Sequence, residues 1–134
     1  MRGSYILVLK LKKKSKIKIG KLGLIDFQKG YYCYVGSALG KNINLENRLE
    51  RHFRRNKKKK WHIDYLLSNP LVSIDGAIVI QSKKKIECFI SQYIEKNADK
   101  TIKNFGSSDC KCKGHLHFFK RKASLIKVIN RLKI

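Results

Sequence analysis

Acidic residues are scarce, proline occurs once, and no long apolar run is present. Nine Asp and Glu face 32 Lys and Arg across 134 residues, a formal net charge of +23. In a compact body such a surplus repels itself, so it implies an anionic partner, nucleic acid ahead of acidic lipid. No stretch approaches the roughly 18–20 apolar residues needed to cross a bilayer, and Tyr5 to Leu9 is too short for a signal-peptide core. The chain therefore reads as soluble and cytoplasmic, with no membrane partner. Cysteine is sparse too: Cys33, Cys88, Cys110 and Cys112 read as reduced thiols rather than a disulfide framework. What is present suffices for a core. Apolar residues make up 43% and aromatics 10%, which excludes charge-driven disorder, and the length fits one domain over residues 1–134.

Tyr5 to Leu11 is a β-prone apolar run and Ser15 to Ile19 alternates polar and apolar, so the two are expected as a hairpin with lysines at its tip. Gly20 and Gly23 break the chain, Tyr31 to Val35 forms a further strand, and Gly36 to Gly40 a loop. From Leu45 the spacing becomes helical, with Leu45, Leu49 and Phe53 on one stripe and Asn44 as N-cap. Trp61 to Leu67 is a short second helix ended by Pro70. Ser73 to Ile80 reads as a strand, and Ile86 to Asn97 as a helix burying Ile86, Phe89, Ile90, Tyr93 and Ile94. A loop rich in Gly, Ser and Cys from Phe105 to Gly114 leads to a strand over His115 to Phe119 and a terminal helix through Leu125 and Leu132. This order implies a single α+β layer protein without internal repeats.

Arg48 and His52 stand four apart on the first helix, as do Arg51 and Arg55, which places a basic stripe beside the apolar one. Lys57, Lys58, Lys59 and Lys60 continue it as a solvated connector. Together with His62, the residues Arg51, Arg55 and Lys57 to Lys60 are the expected nucleic-acid contacts. His62 and Asp64 are two apart on a helix and do not face each other, which excludes a catalytic dyad, whereas Trp61 and Tyr65 share a face and pack. Cys110, Cys112, His115 and His117 gather soft ligands, but C-x-C-x-x-H-x-H is tighter than the usual zinc chelate. Structural zinc is therefore not expected. A turn stabilised by Asp109, with the cysteines as small buried groups, is the favoured reading.

Gly3-Ser4-Tyr5, then Tyr34-Val35-Gly36, then Arg48 and His52 on one helix face, resemble the GIY-YIG nuclease superfamily. Further blocks are similar to one branch of it, small archaeal and bacterial proteins sometimes fused to DNA-repair glycosylases. These are Gly20 to Gly23, Gly30 to Ala38, Arg51-His52, Trp61 to Leu67, Glu87-Cys88, Phe105 to Cys112 and His115-Leu116. The resemblance implies a small antiparallel sheet of about three strands, with an extra hairpin, flanked by helices. It also implies a one-metal phosphodiesterase site. In that scheme Tyr5 helps activate the attacking water, Tyr34 and Arg48 contact the scissile phosphate, His52 faces the site, and Glu87 holds Mg²⁺ or Mn²⁺. Ser37, Asp109 and His115 would lie at its periphery.

Elementary chemistry fits this cast. Mg²⁺ needs only one or two carboxylates because it completes its octahedron with waters and substrate oxygens. Arginine offers a planar fork matching two phosphate oxygens, which lysine does not. A phenol near pKa 10 is a weak base at neutral pH, so Tyr5 acts as one only beside a cation. Plainer readings stand beside these: Tyr5 and Tyr34 as strand aromatics, Arg48 and His52 as a solvated helix face, Glu87 as a carboxylate facing a helix dipole. The functional expectation is a DNA-binding protein with metal-dependent endonuclease activity in repair or recombination. The alternative is an inactive DNA- or RNA-binding module of the same fold. Tyr5, Tyr34, Arg48, His52 and Glu87 are expected on one concave surface, flanked by Lys12 to Lys18, Arg51 to Lys60 and Lys83 to Lys85.

Overall fold

The computed structural model describes residues 1–40, 44–54, 57–107 and 110–132. Strands β1 (Gly3–Leu11), β2 (Ser15–Lys18), β3 (Leu24–Phe27) and β4 (Gly30–Ala38) come first, followed by helices α1 (Leu45–Phe53) and α2 (His62–Leu67). Then come β5 (Val72–Gln81), α3 (Glu87–Asn97), β6 (Lys100–Thr101), β7 (Leu116–Phe119) and α4 (Lys122–Arg131). The main sheet is antiparallel and five-stranded in the order β5-β1-β4-β7-β6, while β2 and β3 form a separate two-stranded sheet.

The α+β class holds, but the sheet is larger than the expected three strands. The first hairpin is also corrected: β1 pairs with β4 and β5, and β2 pairs with β3. β1 is apolar at successive positions, and a strand of that kind is buried on both faces. Tyr5, Leu7, Leu9 and Leu11 point into one core with Phe27, Ile63 and Phe105. Ile6 and Val8 point into a second with Ile90, Ile94 and Leu125. Ser15 to Lys18 has one buried residue, Ile17, and suits only a peripheral ribbon.

The Gly36 to Gly40 loop is corrected as well, because β4 runs through Ala38 and Gly36 pairs directly with Tyr5. Asn44 does cap α1, its side-chain oxygen accepting from the N–H of Asn47 at 2.9 Å. Phe53 and Phe89, expected on buried stripes, are 54% and 56% exposed, since each helix meets the sheet over a narrower arc than periodicity suggests. Among the described residues no helix is long and apolar enough to cross a membrane. β1 begins, and β4 and β5 end, at the same edge of the sheet. α3 packs on the face opposite Tyr5, but its first residue, Glu87, reaches that edge.

Candidate functional site

At this edge a cleft of about 340 Å³ is lined by Tyr5, Tyr34, Arg48, Trp61, His62 and Glu87. Gly36 is there because its partner's ring lies across it. A methyl on Gly36 would sit 2.4 Å from both Cζ and the hydroxyl of Tyr5, so only hydrogen lets the phenol reach inward over the strand. Gly106 forms the opposite wall with φ +68°, a conformation suited to glycine, and its N–H donates to His62 Nδ1 at 2.9 Å.

The Tyr5 hydroxyl lies 2.7 Å from His52 Nε2. Burial, aided by Lys57, holds the His52 pKa down to about 4, so the imidazole is neutral near pH 7. Burial also pushes the Tyr5 and Tyr34 phenols above their ordinary range, although Arg48 opposes the shift. Two neutral groups must therefore share one proton along this bond. His52 Nδ1 is buried without a partner among the described residues. An orphaned N–H is costlier than a bare lone pair, which favours the tautomer with hydrogen on Nε2. His52 then donates to the Tyr5 oxygen, leaving the phenol O–H free to donate into the cleft.

Arg48 stacks on Trp61 with Cζ 4.2 Å from the ring centroid, and Arg51 does so at 4.1 Å. Their fates differ. Arg51 is held by the fully buried Asp64 through bonds of 2.8 and 2.9 Å, and also donates to the Lys58 carbonyl. Arg48 lines the cleft, and its Nε is a buried donor with no partner among the described residues. Asp64 also accepts from the backbone N–H groups of Lys60 and Trp61, both at 2.8 Å, and so fixes the indole that supports Arg48.

Tyr5, Tyr34, Arg48, Glu87, His62, Lys60 and Ser37 share this cleft, and His52 lies directly behind Tyr5. Arg51, expected to reach nucleic acid, is committed to Asp64 instead. Lys57 is also turned inward, its Nζ donating to the carbonyls of Arg51 and His52 at the end of α1. Lys58 and Lys59 are exposed, and Lys59 lines a neighbouring groove with Lys18 and Lys21. Lys85, between Lys83 and the helix, also lines the cleft, whereas Lys14 and Lys16 face a different depression. Arg55 and Asp109 lie outside the described residues. Of the other lining residues, Lys85 was expected only at the flank, Gly36 only as part of a motif and Trp61 only as a packing partner of Tyr65, while Gly106 was not singled out. Trp61 had a local signal, an aromatic immediately after a lysine run.

Glu87 is 8% exposed; Lys85 Nζ lies 3.4 Å from one carboxylate oxygen and His115 Nδ1 lies 3.7 Å from the other. Behind His115 the soft ligands that come together are not the four grouped along the sequence. Cys88, Cys110, Cys112 and His115 bring their ligand atoms within 4.8 Å of one another, a group that can hold a metal ion. His117, counted with them from sequence, points away and is held by Ser91 Oγ at 2.8 Å and Thr101 Oγ1 at 2.7 Å. Cys88 takes its place, 22 positions before Cys110 and so invisible to a local spacing rule. Burial and the adjacent thiols push Cys88 up to about 12 and Cys112 upward, so these thiols are protonated unless a cation draws them into ionisation.

One family model, described as a domain of unknown function, DUF123, matches residues 4–133. No curated protein and no solved structure matches. The expected GIY-YIG membership is thereby corrected: the matching family is DUF123, and no GIY-YIG family model matches. The chain belongs to the DUF123 family.

Proposed function

Taking membership of that family as the premise and the cleft as the guide, we propose that the protein binds nucleic acid, DNA by preference, and cleaves its phosphodiester backbone as a metal-dependent endonuclease. One observation carries this reading: among the described residues an arginine with an unpartnered buried donor, two phenols and a single carboxylate from four elements line one cleft on a body of charge +23. Lys60 at the cleft and Lys59 beside Lys18 and Lys21 extend the positive surface away from it, as a polyanion requires.

In this reading Arg48 binds the non-bridging oxygens of the scissile phosphate, its planar fork held against Trp61. Tyr5, oriented by His52, donates a hydrogen bond to the same group; its raised pKa suits it as a donor and not as the base. Lys60 and Lys85 add positive charge at the rim. Among the described residues Glu87 is the one carboxylate lining the cleft, a donor set that fits Mg²⁺ or Mn²⁺, which take few protein ligands beside phosphate oxygens. Bound there, the ion supplies Lewis-acid polarisation and an acidified water. The setting proposed is DNA repair or recombination in the cytoplasm.

A second reading, binding without cleavage, is favoured by the Lys85 contact, which already gives Glu87 a cation. The deciding experiment offers nicked, flapped, branched and single-stranded DNA, and RNA, in Mg²⁺, Mn²⁺ or EDTA, across a salt series. The expected result is cation-dependent cleavage, with affinity falling steeply with salt at a log–log slope of about −5 for six phosphates. Steep binding without cleavage selects the second reading, and a slope of one or two phosphates contradicts both.

A further inference from the structure

We infer that Cys88, Cys110, Cys112 and Nε2 of His115 form a closed tetrahedral zinc site that fastens the loop over residues 102–115 to α3 and turns Nδ1 of His115 toward Glu87. The zinc site stands on its own geometry; only its link to catalysis rests on the function proposed above.

Zn–S bonds near 2.3 Å and a Zn–N bond near 2.0 Å give tetrahedron edges of about 3.5–3.8 Å. Here Cys110 Sγ lies 3.3 Å and Cys88 Sγ 4.0 Å from His115 Nε2, with all four ligand atoms inside 4.8 Å. The ligands already surround a space of the required size. None of the cysteines is in a disulfide. Three sulfurs and an imidazole select zinc over the hard Mg²⁺, and four protein ligands leave no open position, so the site is structural. Zinc displaces three thiol protons, which pass to solvent, and the bound thiolates keep one hydrogen-bond partner in Gln92, whose Nε2 lies 3.9 Å from Cys112 Sγ.

The placement explains what holds the loop. It carries Gly106, whose N–H fixes His62 in the cleft wall, yet its described residues between β6 and β7 form no helix or strand. With Nε2 on the metal, the imidazole must carry its hydrogen on Nδ1, which faces Glu87 Oε2 at 3.7 Å. At that distance the two are an ion-pair contact rather than a hydrogen bond, and a small approach would complete the carboxylate–histidine–zinc arrangement, in which the carboxylate fixes the tautomer and orientation of the ligand histidine.

The test uses the full chain purified without chelator. Elemental analysis should find one zinc per chain. Cobalt exchanged into the site should show thiolate charge-transfer absorption and the intense visible bands of tetrahedral Co²⁺. Cys112→Ser should weaken cobalt binding by more than about 100-fold, whereas Cys33→Ala, in the second core away from the cluster, should leave it unchanged. If Cys112→Ser fails to fold, the wild-type cobalt spectrum decides alone. Absent thiolate bands, substoichiometric zinc, or a disulfide among Cys88, Cys110 and Cys112 in the purified protein would overturn the site. Nitrogen-15 spectra of the zinc form should show His115 protonated at Nδ1, and protonation at Nε2 would overturn the assignment. Lost nucleic-acid cleavage with zinc retained bears on the proposed function and not on this site.

Discussion

Glu87→Gln abolishes cation-dependent cleavage, by about 10³-fold or more, while affinity for the same DNA is unchanged or tighter. The substitution keeps side-chain volume and removes two things at once: the anionic oxygen on which a divalent cation depends, and a negative charge beside the phosphate path. The negative charge that Glu87 sets beside Lys85 and His115 is then gone, which makes the cleft more positive. Cleavage is read in single-turnover reactions with saturating protein and binding in EDTA, so that the two effects separate. Equal cleavage by Glu87→Gln and wild type would place the chemistry elsewhere.

The largest stability loss is expected at Asp64→Asn. The carboxylate is fully buried and accepts from both Arg51 nitrogens and from the N–H groups of Lys60 and Trp61. An isosteric amide leaves the guanidinium without its counter-charge and turns one acceptor into a donor facing N–H groups. Breaking a buried pair in this way costs about 3–5 kcal/mol, or roughly 10–15 °C in Tm for a chain of this size. Burial raises the Asp64 pKa, but the bonds from Arg51, Trp61 and Lys60 outweigh it and hold the carboxyl below its ordinary range. The contribution is therefore complete above the unfolded carboxylate pKa near 3.9 and is lost as pH falls through the lower folded value. The Tm gap between wild type and Asp64→Asn should stay constant from pH 8 to 5 and narrow only in stronger acid. A gap that closes between pH 7 and 5 would contradict this assignment.

Local features were legible in the sequence. Asn44 announced α1, Pro70 marked the region after α2, and the apolar runs located β1, β5 and α3 within a residue or two. Pairing was not legible, because a strand buried on both faces carries no period to say which neighbours it takes. Adjacency in the chain therefore suggests β2 as the neighbour of β1, where the fold supplies β4 and β5. The same limit separates the two reactive constellations. Tyr5, Tyr34, Arg48 and Glu87 were individually visible as residue types, yet the support that fixes them, Trp61 and Asp64 for Arg48 and Gly36 for Tyr5, comes from contacts across the fold. Cys88 reaches its partners only through the packing of α3, so counting ligands along one segment chose His117, whose ring is already engaged. Short motifs also overreached. The GIY-YIG resemblance rested on two tripeptides and several longer blocks, and the family it suggested was not the one whose model spans the chain.

Nucleic acid is expected to enter the cleft, and the chain's single tryptophan reports on its arrival directly. Trp61 lines the cleft with Arg48 and Arg51 stacked on its ring, so a phosphate drawn to Arg48 changes the field around the indole. Titrating the protein with a short DNA duplex in EDTA, with Trp61 emission and the anisotropy of labelled DNA followed in the same samples, should give superimposable saturation curves. Full binding by anisotropy with unchanged Trp61 emission would place the nucleic acid on another face of the protein and contradict the account.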